Sequence, residues 1–213
     1  MSSLAPVSWR TSLRPVLIVA LVTLAGFAVW FIFNTVPRYA DFSPASWGKY
    51  YWPRRAGLAP HIAGGLLAIS SGLVQVWLGL TGRTGRLHHV LGRVYGAGVL
   101  VGVAGGAYMA LTIPPGSFGY ASGLFMLSVA WFITTGMAIV AVRRGDFAQH
   151  RDWMLRSYTV TFAFVLFRLG ADWIGPLQIT ADDDLDTFLA WGCWAVPLLL
   201  MEPLIQWRHL RPS

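Results

Sequence analysis

Long apolar runs separated by short polar breaks organise this chain. A helix of roughly 20 mainly apolar residues crosses a bilayer core. Six stretches meet that length: about Pro15–Phe33, Pro60–Leu80, Leu91–Ile113, Gly119–Val142, Trp153–Ile174 and Thr187–Trp207. No charged residue occurs between Arg93 and Arg143. That run is too long for one span, and Pro114-Pro115-Gly116 divides it, because two prolines and a glycine turn the chain and interrupt a helix. Gly175-Pro176 ends the fifth span. Gly26-Phe27-Ala28 in the first run loosely resembles a signal cleavage site. Val29 to Phe33 carries the apolar run past it, so we read an uncleaved span. The expected fold is all-α, a transmembrane bundle of six spans whose core is spans two to five. Residues 1–59 hold the first span and an interfacial segment, 60–175 the four-helix core, and 176–213 an acidic loop, the sixth span and a short tail. The connection Asn34–Ala59, rich in Tyr, Trp and Pro, is expected to lie along the interface with a short helix.

Composition narrows the class. Of 213 residues, 55% are hydrophobic and 12% charged, about half the charged share of a soluble domain. A disordered chain has the opposite balance. The net charge of +7 suggests membrane orientation before nucleic-acid binding. Eleven arginines (10, 14, 83, 86, 93, 143, 144, 151, 156, 208 and 211) fall on one side of the predicted topology. Arg38, Lys49, Arg54 and Arg55 fall on the other, as does the cluster Asp182, Asp183, Asp184 and Asp186. The positive-inside rule then puts both termini in the cytoplasm, with the chain in a bacterial cytoplasmic membrane. The arginines follow sidedness and form no continuous patch, which disfavours a nucleic-acid partner. The lone Cys193 has no disulfide or zinc-site companion.

Some positions are too polar or too small for a lipid-facing helix. In span two, His61, Gly65, Ala68, Gly72, Gln75 and Gly79 advance by alternating fours and threes, so they share one face. Small faces let membrane helices approach closely. Span three carries Gly92, Gly96, Gly98, Gly102, Gly105 and Gly106. That density suits close contact with another helix or with a flat cofactor. Span five reads His150, Met154, Ser157, Thr161, Phe164, Arg168 and Asp172 along one face. An intramembrane arginine is costly and points inward by default, and Asp172 at i+4 is its expected partner. A structural ion pair, with Arg168 reaching the interface, is the alternative. His61, Gln75, Arg168 and Asp172 form an expected interior polar set.

His88, His89 and His150 open spans three and five at one membrane face, while His61 lies roughly 30 Å away at the other, 20 residues along a helix. Two imidazoles facing each other across a gap are what bis-His haem ligation requires. Gly92 and Gly96 would admit the ring, and Arg93, Arg151 and Arg156 would meet its propionates. A zinc site would need more ligands than His88, His89, His150 and Asp146 or Asp152 readily supply. Interfacial histidines among arginines also bind lipid headgroups or cap helices.

The stretches His88-His89-Val90-Leu91-Gly92-Arg93-Val94-Tyr95 and Arg143 to Tyr158, with His61, Gly64–Gln75 and Phe167-Arg168-Leu169, resemble the bacterial multi-pass family catalogued as domain of unknown function 2306. The likeness covers about Arg55 to Trp173. It implies a membrane fold and a set of polar positions, without an activity. His88 matches the family histidine. His89 stands where arginine is common, and Asp152 where a further arginine is common. A more distant likeness is to the ascorbate-linked di-haem cytochromes b. Span four lacks a histidine, so at most one bis-His haem would fit that plan.

The expected function is an integral membrane protein binding haem b through His88 and His150, moving electrons to or from a quinone-like partner. The alternatives are a small-molecule or proton-coupled transporter, supported by the interior polar set, and a non-catalytic accessory subunit. No inverted repeat or matching pair of broken spans supports a transporter. Whether the chain is an enzyme stays open, because no phosphate loop, nucleophile elbow or metalloprotease pair is present.

Overall fold

The computed structural model describes residues 9–114, 116–178 and 181–209. Pro115 of the predicted turn lies outside them. The chain runs through helices α1 (Trp9–Thr35), α2 (Pro44–Tyr51), α3 (Arg55–Leu80), α4 (Arg86–Leu111), α5 (Phe118–Arg143), α6 (Phe147–Thr161), α7 (Ala163–Ile174) and α8 (Asp182–His209), joined by short 3-10 turns and loops. Six segments are long and apolar enough to cross a membrane. They are Leu21–Tyr39, Pro44–Leu80, Arg86–Leu111, Phe118–Arg143, Phe147–Leu177 and Asp183–Trp207. Large apolar side chains such as Leu100, Phe132, Leu199 and Leu204 face outward, as a lipid-facing surface requires.

Local chemistry sets the turns. Gly82 (φ 71°) and Gly145 (φ 75°) adopt the left-handed conformation just past the ends of α3 and α5. There Arg83 N–H returns to the Leu78 carbonyl and Asp146 N–H to the Ala141 carbonyl. These are Schellman closures, which favour glycine because it has no Cβ. Asp146 then caps α6 by accepting from Gln149 N–H at 3.0 Å. The α3–α4 and α5–α6 turns therefore lie at one end with Arg83, Arg86, Arg143 and Arg144. We call it the basic end and the other the aromatic end.

The predicted fifth span is not one straight helix. It breaks at Phe162 into α6 and α7 with no proline nearby. Thr159 and Thr161 hydroxyls bond back to the carbonyls of Leu155 and Ser157, both at 2.9 Å. Hydroxyls that compete for helix carbonyls bend helices.

α3 and α4 make the most extensive contact, α5 packs on α4 and α6, and α8 packs on α5 and α7. α1 touches α3 and α7 only lightly. The α3–α4 seam is glycine against glycine. A Cβ at Gly64 would strike the backbone of Gly98 and Gly102, and one at Gly105 the backbone of Gly57 and His61. The glycine density of span three thus serves helix–helix contact at Gly98, Gly102 and Gly105. Of the predicted small stripe of span two, Ala68, Gly72 and Gln75 are buried in the bundle, whereas Gly65 and Gly79 are not at the α4 contact. Gly64 makes the seam, while Gly65 and Gly79 have nothing within 4 Å of a built Cβ.

The connection before α3 forms a short helix, as expected. Ser43 caps α2, and Tyr39, Phe42, Trp47 and Trp52 pack edge to face, with centroids 4.8–6.4 Å apart. Arg54 clamps this segment to α4, donating to the Thr112 carbonyl through Nε (3.0 Å) and Nη2 (2.8 Å) and to the Tyr50 carbonyl at 2.7 Å. A cation at the C-terminal end of a helix also meets the negative end of its dipole.

Candidate functional site

At the basic end, His89 bonds its own helix start, Nδ1 donating to the Gly85 carbonyl at 3.0 Å, and is exposed. His150 Nδ1 donates to the Ala138 carbonyl of α5 at 2.9 Å, which fixes that proton and leaves Nε2 as an acceptor. His88 stands near the start of α4 and His150 near the start of α6. Their levels match, because Tyr95 and Ser157 lie seven residues beyond each and are hydrogen-bonded.

The surroundings do not fit a haem between them. Beside Gly92 the space is taken by Gln75, whose Nε2 stands 3.5 Å from a built Cβ and bonds the His88 carbonyl. Beside Gly96 stands Ile139, at 3.8 Å. Two of the three arginines assigned to propionates have partners. Arg156 forms a bidentate pair with Glu202 of α8 at 2.7–2.9 Å, and Arg151 lies 3.7 Å from Asp152. Arg93 is exposed. His88 Nδ1 is buried without a hydrogen-bond partner among the described residues. Among those residues, too, no group of three or more His, Cys, Asp or Glu could hold a metal ion.

The centre of the bundle holds a buried hydroxyl chain linking α4, α5 and α6. Thr161 Oγ1 accepts from Trp131 Nε1 at 2.9 Å and donates to the Ser157 carbonyl at 2.9 Å. Tyr95 must therefore donate to Thr161 (2.8 Å), Ser157 to Tyr95 (2.6 Å) and Thr135 to Ser157 (2.6 Å). Every hydroxyl hydrogen is used, and the chain ends on a backbone carbonyl. A network closed in this way fixes register and offers nothing to a ligand. Ser128, Trp131 and Thr135 of α5 lie three and four residues apart, a polar stripe legible in the sequence that was not singled out there.

Towards the aromatic end, the packing opens into a cavity of about 180 Å³. Trp131 and Thr161 also line it, Phe31 and Thr35 of α1 contribute to one wall, and Tyr39, Tyr51 and Tyr120 line it as well. His61 lines it too, with Nδ1 donating to the Gly102 carbonyl at 2.8 Å and the ring edge-on to Phe164 at 4.6 Å. That bond makes Nε2 an acceptor. Arg168, half-buried, also lines it.

The expected Arg168–Asp172 pair is absent. Asp172 is exposed, and ion pairs join Arg151 to Asp152 and Arg156 to Glu202 instead. Arg168 lines the cavity while Asp172, one turn on towards the helix end, is exposed. Arg168 and Asp186 of α8 both lie in the neighbourhood of Tyr51 and Tyr120. Of the expected interior set, the cavity gathers His61 and Arg168. Gln75 belongs to the basic end and Asp172 to the surface.

A family model described as "Predicted membrane protein (DUF2306)" matches residues 58–205, reaching past the four-helix core to include α8. The chain belongs to this family. Comparison with curated proteins and with solved structures found no match.

Proposed function

We propose that this member of the DUF2306 family binds a small amphipathic anion in the aromatic-end cavity, as a membrane-embedded carrier or receptor. The observation that carries this reading is Arg168, a half-buried arginine that lines a largely apolar cavity together with His61. Ionisable groups inside a membrane protein mark ligand paths. Guanidinium recognises carboxylate and phosphate through two parallel hydrogen bonds. His61 Nε2 adds one acceptor, suited to a hydroxyl or a shared proton on the bound head. The aromatic and aliphatic walls suit an apolar body.

The test is equilibrium dialysis of radiolabelled octanoate against the full chain in phosphatidylcholine nanodiscs. Binding above empty nanodiscs is expected, lost at least tenfold in Arg168→Gln and in Gly65→Leu. Gly65 lines the cavity with open space at its Cβ, so leucine there takes up cavity volume. Octyl phosphate in place of octanoate separates the two head chemistries. Equal retention by protein-free and protein-loaded nanodiscs for both probes would overturn the reading.

Haem b with electron transfer to a quinone-like partner is the rival. The His150–Ala138 bond favours it, because an axial histidine donates its other ring nitrogen to a carbonyl. The filled spaces beside Gly92 and Gly96 oppose it. A split reduced band in the visible spectrum of protein from haem-supplied cells, lost in His150→Ala, would establish it.

A further inference from the structure

We infer that the anion is a long-chain carboxylate whose tail leaves the cavity between α1 and α7 and enters laterally from the bilayer. This rests on the cavity reading above. A second cleft of about 310 Å³ lies along the α1–α7 seam, lined by Thr23, Gly26, Phe27 and Trp30 of α1 and by Leu169 and Trp173 of α7.

Cleft and cavity share the same two helices at neighbouring positions. Trp30 lines the cleft and Phe31 the cavity, and Leu169 lines the cleft and Arg168 the cavity. The two spaces therefore lie on adjoining flanks of the same helix pair, and a head held at Arg168 would pass its tail between α1 and α7 to reach the seam. Gly26 leaves a notch there with nothing within 4 Å of a built Cβ. Apart from Thr23 the lining is apolar. Together the two spaces fall in the ~300–1,000 Å³ range of small-molecule sites.

The light contact of α1 with α3 and α7 supplies the way in. Elements with few packed contacts open at the lowest free energy. Arg168 lies six residues before the end of α7, about 9 Å at 1.5 Å per residue. A carboxylate there is within reach of the interface while its chain stays in lipid. A saturated chain longer than the cavity buries its further methylenes along the seam. Most of that burial is already available in the bilayer, so chain length should sharpen affinity by a moderate factor.

The experiment is displacement of bound radiolabelled octanoate by hexadecanoate, titrated as mole fraction of the nanodisc lipid. Hexadecanol is the uncharged control. In the unaltered chain hexadecanoate should displace octanoate at least tenfold more effectively than hexadecanol does. Gly26→Phe should cut displacement by hexadecanoate at least tenfold and leave octanoate affinity within twofold. Thr23→Phe narrows the same cleft from the neighbouring turn and should act in the same direction, so a folding defect in one variant does not decide the result. Displacement unaffected by either variant would overturn the lateral seam. Equal displacement by acid and alcohol would overturn the carboxylate. Failure of octanoate to bind the unaltered chain would instead remove the cavity reading itself.

Discussion

Gly64 and Gly65 stand side by side on α3 and meet opposite fates. Gly64 presses on the α4 backbone, while Gly65 opens onto the cavity. The polar residues divide in the same way. Tyr95, Ser157, Thr161 and Thr135 consume one another's hydrogens in a closed chain, whereas His61 and Arg168 line the cavity that Thr161 borders. Glycine content and buried polarity are similar on the two sides. What separates them is whether another part of the chain completes each group. The sealed side holds the bundle together, and the open side has capacity left for a ligand.

The sharpest break of this contrast is leucine at each glycine. Gly64→Leu must push apart two backbones, which cannot step aside as a side chain can. The expected cost is at or above the ~1–3 kcal/mol typical of overpacking, seen as loss of monodisperse protein in size-exclusion chromatography. Gly65→Leu should leave yield and thermal midpoint unchanged or raised, since glycine costs about 1 kcal/mol in a helix. Equal damage from both would erase the distinction between seam and cavity.

Within the sealed side, Tyr95→Phe removes the hydroxyl that links Ser157 to Thr161. Leaving buried partners unsatisfied costs about 1–3 kcal/mol. Thr135→Val removes only the first donor and should cost less, about 0.5–1.5 kcal/mol. A double-mutant cycle on thermal or denaturant unfolding should show the two coupled. Additive losses would mean that the hydroxyls act separately.

The contrast also explains what could be read in advance. Span lengths and divisions were legible because apolar run length is set by bilayer thickness and punctuated by Pro114, Gly116 and Gly175. The Phe162 break was not, because its cause is a set of threonine hydroxyls that look ordinary in an apolar run. At the α4 contact Gly65 was read where Gly64 stands, because both are small and lie only about 100° apart on a helix. Gln75 was grouped with Arg168 on polarity alone. Yet Gln75 lies 14 residues beyond His61, about 21 Å along α3, and meets the opposite end of the bundle. Asp172 was assigned by the i+4 rule, which says that two side chains can meet but not that they prefer each other to solvent or to a cavity. The central network was missed because Tyr95 and Trp131 read as apolar bulk.

On the open side, Arg168→Gln should lower octanoate binding at least tenfold while moving the thermal midpoint little, because the side chain is half-buried at a cavity wall and not packed in the core. Arg156→Gln is the control from the sealed side. It breaks the bidentate pair with Glu202 across α6 and α8 and should cost stability while leaving octanoate affinity within twofold. The Arg156 side chain is 14% exposed and Glu202 42%, so screening keeps that cost near the ~1 kcal/mol upper end for surface pairs. Thermal unfolding and dialysis on both variants check the pairing. A large stability loss in Arg168→Gln would mean that the arginine is structural after all.

The smallest expected effect concerns the segment whose Tyr39 and Tyr51 line the cavity. Asp41 accepts hydrogen bonds from Ser46 (2.6 Å) and Ser43 (2.8 Å) at the start of α2. These hydroxyls, Ser46 first, hold its pKa below the usual 3.8. A carboxyl with a depressed folded pKa contributes stability above its unfolded pKa and loses it as pH falls through the folded value. The α2 turn should therefore stay intact from neutral pH down to about 4 and loosen only below that. Fluorine NMR of 5-fluorotryptophan protein, with the Trp47 signal assigned through Trp47→Phe, reads this directly, because Trp47 packs on Tyr39 and Phe42. In Asp41→Asn the acid-induced change at Trp47 should vanish while octanoate binding at neutral pH persists. The carboxylate is fully exposed and organises only its own turn. If Asp41→Asn abolished binding, the α2 segment would be part of the recognition surface, and the line between sealed and open sides would have to be redrawn to include it.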